Sequence, residues 1–413
     1  MNAAAGTLSR AEINRATISL IVTFAVGFGV FLSGFVIREP APYELYMTGL
    51  IGVWVLTGFR LSASVMPLLL LLVVFNVGGL ISMTQMADLK DAPLYIAVSL
   101  FLAFSAVFFA AVIEQNERLL ATLFNAWTAA AVFTGLLGII GYLGLLPGFD
   151  IFTRYDRAMG AFQDPNVFGP FLILPSLWMV HGLLARPLTG APWRIAVLLV
   201  LALAIFLSFS RAAWGLLALS TAMLTLLMFI GSRSGAFRIR IIVMTLVAIA
   251  FLAVAVIVML QFDKVSDLFF ARASLSQEYD TGRLGRFGRH IIGFQMAMEH
   301  PLGIGPLVFG PIFGEDTHNI WLKALLDYSW LGFASYMTLT IWTLIGGFRL
   351  LLRDRPWQPF LLCAWIVYVG HVVIGNVIDT DHWRHFYLLV GVIWGCMALE
   401  TQWRNGLGEA SPS

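Results

Sequence analysis

Twelve mostly apolar stretches, each about 20 residues long and separated by polar breaks, run from one end of this chain to the other. This pattern leaves few options. In lipid every backbone N–H and C=O must find a partner within the protein, so each stretch is expected to be a helix. The stretches are 17–36, 42–59, 64–83, 93–113, 119–143, 168–185, 194–210, 212–230, 239–260, 319–348, 358–376 and 384–401. The fifth and tenth exceed a simple crossing, which predicts tilt or a break, and Asp327-Tyr328-Ser329 is the expected break in the tenth. The tightest junction is Ser210-Arg211, between the seventh and eighth. The first stretch lacks a short apolar region with a small-residue cleavage site and reads as a retained helix. Only 12% of residues are charged, against roughly 25% in soluble domains, so a soluble protein is excluded. Cys363 and Cys396 both lie inside apolar stretches and offer neither a disulfide framework nor a metal-knuckle spacing.

Charge on alternate loops gives the expected orientation. With the N-terminus in the cytoplasm, that side holds thirteen arginines and six acidic residues, net +7, and the rest of the chain carries 12 basic and 17 acidic residues, net −5. Lys and Arg in short loops mark the cytoplasm, so both termini are expected inside. The outer segments 147–167, 261–318 and 377–385 are the ones rich in mixed polar residues. Long polar loops are where function concentrates, so a site is sought there.

Four constellations stand on that outer face. In TGRLGRFGRH, a helix over 281–299 would place Arg283, Arg286, Arg289 and His290 on one side. Such a stripe suits either anionic lipid headgroups or a diphosphate, which a guanidinium fork binds bidentately. Pro301 ends that helix, and Gly303 and Gly305 permit a tight turn. Arg211 sits between two spans almost without a loop, either as a snorkelling marker of a helix end or as a functional cation. Arg154 and Arg157 precede Asp164-Pro165-Asn166, a helix-start signal of cap and proline. DTDHWRHF gathers Asp379, Asp381, His382, Arg384 and His385. A metal is conceivable there, but the interleaved arginine favours a salt-bridged helix start with Trp383 as an interface anchor. Finally, GEDTHNIWL puts His318 beside Glu315 and Asp316. A neutral imidazole next to a carboxylate suits a general base. Thr317 or Asn319 would cap the following helix.

In order along the chain, these motifs resemble the O-antigen ligase and O-antigen polymerase family, membrane glycosyltransferases of the GT-C type. The resemblance rests on Arg157, Gly160, Phe162, Pro165 and Asn166, then Ser210-Arg211, then Arg286 leading to His300-Pro301 and Gly303-x-Gly305. It closes with His318-Asn319 and Gly332, although Ser329 stands where the ligase pattern has a first glycine. The implied fold is an all-α polytopic membrane protein of about 12 helices, GT-C-like, a single domain over 1–413. A large, partly helical periplasmic loop at 261–318 would lie between helices 9 and 10, and the catalytic region would cover about 147–401.

The implied reaction moves a saccharide from an undecaprenyl diphosphate-linked donor to an acceptor hydroxyl at the periplasmic face of a bacterial inner membrane. His318 would activate the acceptor, with inversion at the anomeric carbon. Arg211 and Arg286 would stabilise the leaving diphosphate, with Arg154, Arg157, Asn166, Arg283, Arg289 and Asn319 binding substrate. No metal, other cofactor or nucleic acid is called for. The acceptor would be lipid A-core for a ligase, the favoured reading, or a growing glycan for an O-antigen or exopolysaccharide polymerase. A secondary transporter is the rival from another class, with Lys323 and Asp327 as the charges at mid-span, spaced to pair; a non-catalytic scaffold of a glycan assembly complex is a third.

Overall fold

The apolar stretches fold as helices throughout a computed structural model that describes residues 10–58, 60–273 and 285–409. The first five are α1 (Arg10–Leu32), α2 (Pro42–Leu56), α3 (Met66–Met83), α4 (Ala92–Gln115) and α5 (Leu119–Leu143). A two-stranded hairpin, β1 (Thr153–Arg154) with β2 (Arg157–Ala158), precedes α6 (Pro165–Phe171) and α7 (Ile173–Ala185). Next come α8 (Ala191–Leu207), α9 (Arg211–Gly231) and α10 (Gly235–Met259). The largest loop contains α11 (Asp263–Ala273), α12 (Arg286–Glu299) and α13 (Phe309–Phe313). The chain closes with α14 (Ile320–Asp327), α15 (Ser329–Phe348), α16 (Gln358–Ile374) and α17 (Arg384–Glu409).

Local chemistry sets these boundaries. Six helices (α2, α3, α4, α6, α8 and α16) carry proline in their first two positions, where its missing N–H has no cost. Asp164, Ser210, Ser234 and Asn319 cap α6, α9, α10 and α14 with side-chain oxygens. Among the described residues, nine helices are long and apolar enough to cross a membrane, counting α6 and α7 as one. The expected spans one, two and eleven are shorter: the apolar part of α1 is Ala16–Leu32, α16 has 17 residues and α2 has 15. At about 1.5 Å per residue, a helix of that last length falls well short of a 30 Å hydrocarbon layer. The fifth span runs unbroken as α5.

The tenth is broken where expected. α14 stops at Asp327, Ser329 adopts φ +62, and α15 follows. An interrupted helix frees backbone groups that lipid cannot satisfy, and the His300-to-Gly305 turn meets one carbonyl and one N–H of this break. Ile304 N–H and Ser82 Oγ both donate to Leu326 O (2.8 and 3.0 Å), and Trp330 N–H donates to Pro301 O (3.1 Å). Gly303 and Gly305 make that turn at φ +82 and +101. Gly332 then lets α15 cross α3 at backbone distance, since a Cβ there would stand 3.1 Å from Phe75 O. Gly391 and Gly395 do the same where α17 crosses α4: their added Cβ atoms would meet Ala106 O at 2.7 Å and Ile113 Cβ at 2.8 Å.

Loop contacts sort into two faces. Arg240 donates to the carbonyls of Leu183 and Arg186, and Arg353, Arg355 and Arg404 converge on Glu400, all on the arginine-rich face. On the opposite face, Arg384 pairs with Glu39 and Glu44, Tyr95 with Asp381, and Asn319 with Asn376. The two sets of alternating loops therefore each meet only their own kind in these contacts.

Candidate functional site

His318 occupies the residue just before the α14 cap, with φ +48. A non-glycine residue in the left-handed region is uncommon and points to a constraint worth tracing. Here the constraint comes from both sides. Asn319 accepts from Trp321 N–H (3.0 Å) and Leu322 N–H (3.1 Å), and its amide donates to Asn376 O (3.1 Å). Ile320 N–H donates to Gly375 O (2.8 Å). Stitched to the end of α16, the segment carries its imidazole to the start of the α16–α17 loop. There His318 Nδ1 lies 3.6 Å from Asp379 Oδ2, while Nε2 lies 4.0 Å from Glu315 Oε2. The ring remains 36% exposed, and Asp379 is 17% exposed.

A second layer comes from α12. Arg289 is buried and its guanidinium bonds Glu315 at 2.5 Å. Arg286 starts the helix half-buried. His290, one residue beyond Arg289, hydrogen-bonds the Thr317 backbone and lies within electrostatic reach of Arg286, Asp379 and His318. Burial lowers its pKa from the ordinary 6.5, and the Arg286 charge lowers it further, against the opposing pull of the Thr317 bond. His290 is thus favoured neutral in the middle of this group.

The remaining arginines form another cluster. Arg157 is 4% exposed. Its Nε donates to Ser208 O (2.7 Å) and Nη2 to Asn166 Oδ1 (2.8 Å), tying β2 and the first turn of α6 to the α8–α9 junction. That junction is as tight as expected: Phe209 turns at φ +45, Ser210 caps, and Arg211 opens α9 half-buried. Arg154 stays at the surface, donating to Gln163 O (2.9 Å) and stacking over Tyr155. α9 packs along α16, whose last turn holds Asn319 and Ile320. The two clusters therefore share one supporting helix. Arg283 lies outside the described residues, and so does the first part of the expected 281–299 helix.

Four details differ from the sequence reading. Asp316 does not serve His318: it pairs with Lys323 (3.2 Å), which also holds Asp327 at 3.2 Å in the i, i+4 pairing expected of those two. The carboxylate nearer His318 is Asp379, which no local spacing could reveal. The basic stripe of α12 is not all open to a headgroup or a diphosphate, because Arg289 is buried on Glu315. Trp383 is buried against His385 and His371 and so is no interface anchor, although Arg384 does form the salt-bridged helix start. Asp381 accepts from Tyr95 (2.6 Å) and sits 2.9 Å from His382 Nδ1. Burial would raise its pKa, but His382, Lys323 and Tyr95 outweigh this and hold it well below the usual carboxylate range. Among the described residues no three His, Cys, Asp or Glu side chains gather as a metal-holding set.

This geometry joins a histidine–carboxylate pair to arginines on a scaffold of apolar helices. Residues 196–337 match the O-antigen ligase family model. The matched segment, about a third of the chain, contains Arg211, Arg286, Arg289, His318 and Asn319 together with Ser329 and Gly332. Arg154, Arg157, Asn166 and Asp379 lie outside it. No curated protein matches the chain. The family match implies a membrane enzyme of the glycan-transferring, O-antigen ligase or polymerase type, working on glycan and lipid-linked substrates.

Proposed function

We propose that this protein transfers a saccharide from an undecaprenyl diphosphate-linked donor to a hydroxyl of lipid A-core, as an O-antigen ligase of the bacterial inner membrane. The termini would be cytoplasmic, the site periplasmic and the catalytic region about 147–401. The observation that carries the proposal is His318, held at φ +48 between Asp379 and Glu315 beside the α12 arginines, inside the segment that matches the family.

In this reading the acceptor oxygen bonds to the anomeric carbon as the bond to the diphosphate oxygen breaks. Its proton passes to the imidazole, and Asp379 beside Nδ1 stabilises the imidazolium that forms. The electron pair of the broken bond leaves on the diphosphate, where Arg211 and Arg286 meet the developing charge. Arg283 would assist them, and Arg154 would meet the donor at the rim. Arg289 contributes by fixing Glu315, and Arg157 with Asn166 by fixing the junction that presents Arg211. Asn319, with its oxygen bonded to two backbone N–H groups and its amide to Asn376, serves chiefly to hold His318 in place. The residues named here neutralise charge with guanidinium groups, so the reading calls for no metal.

A polymerase is the second reading, favoured by Ser329 standing where the ligase pattern has glycine. Analysis of lipopolysaccharide from cells lacking the gene separates the two. Bare lipid A-core supports ligation; core bearing a single repeat unit supports polymerisation and overturns the ligase assignment. Bare lipid A-core with the donor confined to the cytoplasmic leaflet would move a transporter ahead.

A further inference from the structure

The arginine-rich face holds a cavity of about 490 Å³ between the N-terminal end of α3, the C-terminal end of α15 and α17. Its lining includes Ser64, Trp342, Arg349, Arg353, Glu400 and Arg404. The Glu400 side chain is only 3% exposed, yet it draws three guanidinium groups together: Arg353 Nη1 at 2.5 Å, Arg355 Nε at 2.9 Å and Arg404 Nε at 3.1 Å. One guanidinium would balance one carboxylate. Arg349, exposed on the same wall and with no acidic partner among the described residues, adds a fourth cation. Arg349, Arg353 and Arg404 against Glu400 therefore give the cavity lining an excess of two positive charges, with Arg355 adding a further cation next to Glu400 outside the lining. Arg353 and Arg404 remain 38% and 54% exposed, so their donors are open to a ligand.

The cavity also has an apolar side. Trp342 is 44% exposed on α15 beside it, while Trp394 forms a buried floor. A half-exposed tryptophan next to arginines at a helix end is the pattern of the headgroup level of a membrane. We propose that this cavity binds the phosphodiester headgroup of an anionic phospholipid, with the acyl chains lying along the outer surface of α15 beside Trp342. Arg349, Arg353 and Arg404 hold the phosphate oxygens, and Glu400 sets the spacing of the guanidinium groups. The site lies at the opposite face from His318 and does not depend on the reaction assigned there.

The test uses the full-length protein purified in detergent, with dioleoyl phosphatidylglycerol and dioleoyl phosphatidylcholine as probes and bound lipid counted by native mass spectrometry. The wild type should retain phosphatidylglycerol at least tenfold over phosphatidylcholine. Arg349→Gln/Arg404→Gln, which leaves Arg353 and Arg355 on Glu400, should lose at least tenfold of that preference, at about fivefold per arginine. Arg118→Gln/Arg233→Gln, on the same face but away from the cavity, should keep it. Equal retention of both lipids by wild type, or equal loss in both double variants, overturns the proposal. Displacement of phosphatidylglycerol by millimolar inorganic phosphate would assign the cavity to a soluble anion and overturn the lipid reading. Should the double variant fail to fold, Arg349→Gln alone serves, with a fivefold loss expected and no loss overturning the site.

Discussion

Replacing Ser329 by glycine should stabilise the folded protein by about 1–2 kcal/mol. Three contributions set the size. Ser329 is held at φ +62 in the break between α14 and α15, and a left-handed conformation costs an L-residue about 1–2 kcal/mol. Its hydroxyl is buried with no partner among the described residues, which adds about 1 kcal/mol of uncompensated desolvation. Against these, glycine loses more conformational freedom on folding, about 1 kcal/mol. Ser329→Ala isolates the hydroxyl, since it keeps the Cβ and the strain, and should gain no more than about 1 kcal/mol. Equilibrium unfolding in mixed micelles of rising SDS fraction measures both. A glycine variant less stable than wild type, or an alanine variant more stable than the glycine one, would refute the strained-break reasoning.

Further outcomes concern the polar network around that break. Lys323→Met should destabilise by about 3–5 kcal/mol, because Asp316 and the buried Asp327 lose their shared cation. Adding Asp327→Leu should recover a large part of this, read as the yield of folded protein in detergent and its thermal midpoint. His290 gives a pH signature. Its folded pKa lies below the ordinary 6.5, so below that value the unfolded chain takes up a proton that the folded protein resists, and this contribution to stability is lost as pH falls from about 6.5 through the folded pKa. His290→Gln should flatten the stability profile over that window; an unchanged slope would contradict the assignment.

Much of the scaffold was legible because lipid enforces one solution for each apolar run. The break at Asp327-Tyr328-Ser329, the cap at Asp164 and the Lys323–Asp327 pair all follow from local spacing, and the structure has them. What escaped depends on contacts between distant loops. Asp379 reaches His318 only because Ile320 and Asn319 are stitched to the end of α16. Asp316 turns from His318 to Lys323 because that amine is buried and needs a second carboxylate. Trp383 reads as an interface residue by position, yet the α16–α17 loop folds inward and packs it on two histidines. The purpose of His300-Pro301 and the two glycines after it was hidden for the same reason. Their turn is explained by a carbonyl on a helix that begins some fifteen residues later.

The transfer rate of His318→Ala tests the central claim most directly, measured in membranes supplied with undecaprenyl diphosphate-linked glycan and lipid A-core at matched protein levels. Loss of an acceptor-activating base predicts a fall of about 10²–10⁴-fold, and Asp379→Asn should fall too, by a smaller factor, since it removes the charge beside Nδ1 and leaves the imidazole. Full transfer by His318→Ala would contradict the account.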